Sequence, residues 1–154
     1  MTKPRKARTD SVANLIRLAT TANTEIAPPA HVPLQDHDWP FFHSIVDEFA
    51  RADWTPHRLE LAAMLARTMA SLEACQRQIS EEGTLALRAN GTLGQNPRLN
   101  IAAGMASQIL AMRRSLALTG RAMAGGTTKA AHQREANRAA EKRLRGNGSD
   151  DLLA

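Results

Sequence analysis

TPHRLELAAMLARTMASLEACQRQISEEG, residues 55–83, decides the fold. Thr55 supplies a hydroxyl cap, and Pro56 fits a first helical turn because its missing N–H and fixed φ cost nothing there. No breaker interrupts the run until Gly83, which stops it. At 1.5 Å per residue the helix is roughly 40 Å long. Leu61, Leu65, Thr68, Leu72, Cys75 and Ile79 step along it by fours and threes and make one seam. Ala62, Ala63, Ala66 and Ala70 make a second surface of small side chains. A rod with two packable sides needs more than one neighbour.

Gly83, Asn90-Gly91, Gly94 and Asn96 then mark a turn-rich connector over 83–96. A second helix is predicted from Pro97 to about Leu118, ending near Gly120, with Ala102, Met105, Ile109, Met112 and Leu116 again at helical spacing. Two long helices with matching seams read as an antiparallel hairpin.

Upstream, Asp10 or Ser11 can cap a short helix through about Thr21, with Val12, Leu15, Ile16 and Ala19 as its apolar face. Pro28, Pro29 and Pro33 force an extended connector. Helical spacing resumes at Trp39 with Phe42, Ile45, Val46 and Phe49. All Trp and Phe lie between Trp39 and Trp54, which reads as a small aromatic core. Base stacking is rejected because the local neighbours are acidic: Asp36, Asp38, Asp47 and Glu48. Downstream, Gly125-Gly126 breaks the chain. Lys129–Arg145 is helix-forming but poor in large apolar groups, so it reads as a solvated or partly formed helix, stabilised when it meets something negative, followed by a flexible spacer over 146–149.

The organisation expected is therefore a disordered basic arm over 1–9, an N-terminal helical region over 10–55, a helix-hairpin oligomerisation core over 56–120, and a flexible basic tail over 121–154. The fold class is all-α: hydrophobic residues are 43% of the chain but aromatics only 3%, and runs of β-branched residues are nearly absent. An Ala-rich core buries little area per residue at roughly 25 cal/mol per Å², which favours self-association. The residues expected to carry it are Leu61, Leu65, Met69, Leu72, Ile79, Met105, Ile109, Met112 and Leu116.

Charge is concentrated at the ends. Residues 1–8 carry +4, residues 121–148 carry +5, and the body between is mildly acidic. Basic ends on an acidic body suit a polyanion, and neither end has the broad apolar face of a membrane-surface helix. The candidate DNA contacts are Lys3, Arg5, Lys6, Arg8, Lys129, Arg134, Arg138, Lys142, Arg143 and Arg145. Such contacts position a duplex without reading its sequence.

Chemistry leaves few traces. Residues 120–127 miss a phosphate-binding P-loop because Gly126 stands where Lys is required. His31, His37, His43, His57 and His132 lack metal-ligand spacing, and Cys75 is the single cysteine. No nucleophile–base pair is readable. We expect no catalysis, no metal and no cofactor.

Arg8-Thr9-Asp10-Ser11, Pro28-Pro29-Ala30-His31, Pro40-Phe41-Phe42-His43, Trp54-Thr55-Pro56 and the terminal Asp150-Asp151-Leu152-Leu153-Ala154 occur in an order and spacing that resembles terminase small subunits of lambda-like siphophages. The resemblance covers most of the chain. It implies a non-enzymatic protein of the host bacterial cytoplasm that assembles as a closed ring of about nine copies. It also implies recognition of the packaging site in double-stranded viral DNA and delivery of that DNA to a large ATPase-nuclease subunit, with no membrane involved. Asp150, Asp151, Leu152 and Leu153 suit a docking peptide for that subunit. No confident helix-turn-helix is visible. The competing reading is an oligomeric DNA-binding transcriptional regulator or nucleoid-type protein.

Overall fold

The computed structural model describes residues 11–87, 91–118 and 128–150. Its elements are α1 (Val12–Ala22), α2 (Trp39–Val46), a 3₁₀ turn (Arg51–Asp53), α3 (Pro56–Glu82), β1 (Leu85–Leu87), β2 (Leu93–Gln95) and α4 (Arg98–Ser115). A last helix, α5, spans Thr128–Asp150. The chain is mainly helical, as expected, but carries a small antiparallel ribbon that the connector reading did not anticipate. Leu85 pairs with Gln95, Ala86 with Gly94 and Leu87 with Leu93.

α3 begins and ends where its caps dictate. Thr55 Oγ1 accepts a hydrogen bond from the Arg58 backbone N–H at 3.4 Å, and Gly83 takes φ +86°, a conformation that disfavours side chains with a Cβ. α3 and α4 pack together, joined at the far end by the ribbon. Asn96, 1% exposed, ties that end: its amide donates to Glu82 and to the Gly83 carbonyl, both at 3.0 Å, and its oxygen accepts from the Arg98 backbone N–H. Arg98 Nε closes the loop on Glu82 at 3.0 Å. The Arg98 guanidinium, and then Asn96, hold the Glu82 carboxyl below its ordinary pKa.

α4 stops earlier than the sequence suggests. Ala117 adopts φ 60°, and the Leu118 N–H returns to the Arg113 carbonyl at 2.8 Å, the bond pattern of a helix terminus. Gly120 lies outside the described residues.

The core sits at the other end of α3 and α4. Phe42, Ile45 and Val46 of α2 pack on Ala62, Ala63, Leu65 and Ala66 of α3, with Val32 and Leu116 beside them. The small-residue surface of α3 is thus where α2 lies close to the rod. Leu65 and Leu116, expected at a subunit contact, are fully buried inside the protomer. Leu61, Met69, Ile109 and Met112 pack against the same core.

α1 corrects the sequence reading. Val12, Leu15 and Ile16 are 72%, 45% and 60% exposed, and the buried residues are Asn14, Leu18 and Ala22. The physical reason is α5, which packs on that opposite face. α5 is not interrupted at 146–149, and although most of its side chains over 132–146 are exposed, as a solvated helix requires, it is anchored to the body. It buries Asn137 and Glu141, and its backbone is helical through Asp150.

Candidate nucleic-acid interface

α1, the 3₁₀ turn and α5 meet where α5 lands. Asn14 donates through Nδ2 to Asn137 Oδ1 at 3.0 Å, and Asn137 Nδ2 donates to Asp53 Oδ2 at 3.3 Å. Arg17 reaches the Ala52 carbonyl at 2.8 Å and Asp53 Oδ1 at 3.1 Å. One turn further along α5, Glu141 accepts from the Arg51 backbone N–H at 2.6 Å and from Arg51 Nη1 at 3.0 Å. Arg51 Nε donates to the Thr24 carbonyl at 2.9 Å. The 3₁₀ turn is therefore a polar bracket between the first and last helices. Carboxamides and an ion pair are tolerated in it because nearly every buried donor finds an acceptor.

The aromatic cluster stands as expected in its packing. Trp39 meets Phe42 edge-on at 5.8 Å, and Phe49 meets Trp54 edge-on at 5.5 Å. Cations cover it, contrary to the acidic neighbourhood read locally. The Arg58 guanidinium lies 4.4 Å from the Phe49 ring centre and 5.2 Å from that of Trp54, and Arg134 lies 5.6 Å from Phe49. These cations arrive from α3 and α5, so no local window reveals them. They close the ring faces with the protein's own charge. Burial, and next the neighbouring Arg134, push the Arg58 pKa below its ordinary value.

The basic residues proposed from sequence fall into four groups. Lys3, Arg5, Lys6 and Arg8 lie outside the described residues, as do Asp151, Leu152, Leu153 and the near P-loop over 120–127. Lys129 stands in the first turn of α5, and Asp150 is its last residue. Arg134 is partly buried against Phe49, and Arg138 faces Glu48 at 3.7 Å. Lys142, Arg143 and Arg145 are exposed.

Arg138, Lys142 and Arg145 line an open cleft of about 330 Å³ together with Arg51, Asp47, Phe49 and Glu141. Four cations against two carboxylates leave it positive. Arg51 is the member that sequence reasoning missed, because its neighbours on α5 lie some ninety positions downstream. Arg67, Arg113 and Arg114 are further exposed cations on α3 and α4.

Among the described residues no group of His, Cys, Asp and Glu could hold a metal ion, and no helix is long and apolar enough to cross a membrane. No curated protein matches the chain. A known phage family does match, and it matches residues 1–154, the entire length. The chain therefore belongs to the Hendrixvirinae small terminase family, whose role is in phage genome packaging.

Proposed function

We propose that this chain binds double-stranded viral DNA at the packaging site as a ring-shaped homo-oligomer, and that it recruits and regulates the large ATPase-nuclease subunit without catalysing a reaction itself. Small terminase subunits are in general non-catalytic, and the host bacterial cytoplasm is where such a complex acts.

The observation that carries self-association is α4, an 18-residue helix with no buried residue in the protomer. Ile101 and Leu110 on it are 53% and 44% exposed, and Met64 on α3 is 50% exposed. Leu85, Leu87 and Leu93 crown the same rod, all more than half exposed. A hairpin of this kind loses its unfavourable hydration when further copies cover it. Leu72, Ile79 and Met105, only partly buried, lie on the same hairpin and suit that contact. About nine copies in a closed cyclic arrangement is the number that the family resemblance supports.

Ring closure repeats every basic segment around the axis, so weak phosphate contacts act together. Each contact with duplex contributes about −0.9 to the slope of log affinity against log salt. Removing residues 1–8, with their four cations, should flatten that slope by up to about 3.6 for each arm engaged. A wild-type slope near zero would remove the electrostatic reading. Light scattering on the same samples separates a large ring from the dimer of a transcriptional regulator.

The terminal Asp150, Asp151, Leu152 and Leu153 are proposed to dock on the large subunit, leucines in a groove and carboxylates at a basic rim. Chain lacking residues 149–154 should keep its DNA affinity and lose its stimulation of the large-subunit ATPase. Undiminished stimulation would refute docking.

A further inference from the structure

A second cleft, of about 260 Å³, opens on the other side of the polar bracket, between α1, the start of α3 and α5. Arg17, Asp53, Arg58, Gln133, Arg134 and Asn137 line it. Three guanidinium groups thus face one carboxylate. That carboxylate is already engaged at both oxygens, by Arg17 at 3.1 Å and by Asn137 at 3.3 Å. Arg58 spends Nη1 on the Asp53 carbonyl and Nη2 on the Leu116 carbonyl, neutral acceptors, so its hydrogen bonds bring it no counter-charge. Arg134 Nη1 is buried and has no hydrogen-bond partner among the described residues.

Two cations held on one phenyl ring repel each other, and the one carboxylate in the cleft, Asp53, is shared with Arg17 and only partly offsets them. Burial, and next the Arg134 charge, push the Arg58 pKa down against a smaller upward pull from Asp53, as expected for cations crowded in this way. A group that supplies two negative charges and several acceptor oxygens would relieve the repulsion and meet the planar N–H forks in their preferred geometry. A single carboxylate would leave surplus positive charge.

We propose that this cleft is a phosphate-binding site, in which Arg17, Arg58 and Arg134 hold a phosphoryl group and the Gln133 carboxamide adds a donor. It goes beyond the DNA-binding arms, because Arg17 and Arg58 belong to the folded body and were not among the residues assigned from sequence. Phosphate held here also ties α5 to α1 and α3, so occupancy stabilises the docked position of the last helix. The phosphoryl group can come from free phosphate or from a nucleic-acid backbone, and the chemistry of the site is the same for both.

The test uses the full-length chain and inorganic phosphate, titrated against chloride at matched ionic strength. Trp54 lies against Arg58 and reports through its fluorescence, and thermal melting is followed in parallel. A saturable fluorescence change is expected, with a rise in melting temperature. The apparent affinity should fall at least tenfold in Arg134→Gln and in Arg17→Gln. The second variant matters because Arg17 is 45% exposed, so its replacement leaves the core untouched even if Arg134→Gln folds poorly. Competition by a short duplex identifies a backbone phosphate as the ligand, and absence of competition identifies free phosphate; both keep the site. A linear, unsaturable response, or one unchanged in both variants, overturns it. That failure would leave duplex binding by the terminal arms standing, since the salt titration reads it separately.

Discussion

Glu141→Ala should release α5 from the body at a cost of about 3–5 kcal/mol, the range for breaking one side of a buried ion pair. The Glu141 side chain is 6% exposed and that of Arg51 19%. Both carboxylate oxygens are committed, one to the Arg51 backbone N–H and one to its guanidinium. Truncation to Ala therefore strands an N–H and leaves a partly buried cation without its counter-charge. Glu141→Gln keeps an acceptor for the backbone N–H and loses only the ionic part, so its cost should be smaller, about 1–2 kcal/mol. Because α5 meets the rest mainly at α1 and the 3₁₀ turn, the loss should appear as local opening. Amide exchange in residues 132–146 should accelerate far more than exchange in α3. Equal exchange in wild type and Glu141→Ala would mean that the tail is the solvated helix its composition suggests.

This contact also marks the limit of what the sequence discloses. α3 was legible to the residue because its cap, its proline and Gly83 all act within a turn of the boundary. Phe42, Ile45 and Val46 were legible as core because apolar side chains at helical spacing have few other uses. The same rule misled at α1, where the apolar stripe of Val12, Leu15 and Ile16 faces outward and Asn14 faces in. A buried Asn answers to a partner, Asn137, that lies 123 positions away. No periodicity carries such information. Ala117 at positive φ ended α4 without the glycine that normally announces such a stop. The ribbon was invisible because three-residue strands are shorter than any alternation pattern can resolve. The candidate site fared likewise: the exposed Lys142, Arg143 and Arg145 could be read from charge, whereas Arg17, Arg51 and Arg58 needed the fold.

That unforeseen ribbon carries the other large effect. Side chains alternate along a strand, so Leu85 and Leu87 share a face, and register sets Leu93 opposite Leu87 on the same side. All three are exposed at the tip of a helical rod, and both ribbon edges are unpaired among the described strands. A two-stranded ribbon alone is marginal in water. Neighbouring copies set side by side would offer each free edge to a complementary one and cover the leucines at the same time. Burial is worth about 1.5–3 kcal/mol for each leucine at each contact. Replacing Leu87 and Leu93 together by Ser should therefore weaken each subunit contact by about 3–6 kcal/mol, a loss of two to four decades in affinity. The protomer itself should stay folded, because neither residue touches the core around Phe42 and Leu65. Light scattering at micromolar concentration should then register protomers or small fragments where the wild type gives the full assembly, while the thermal transition of the core holds. An assembly of undiminished mass in the double variant would confine the subunit contact to the flanks of α3 and α4 and strip the tip of any part in it.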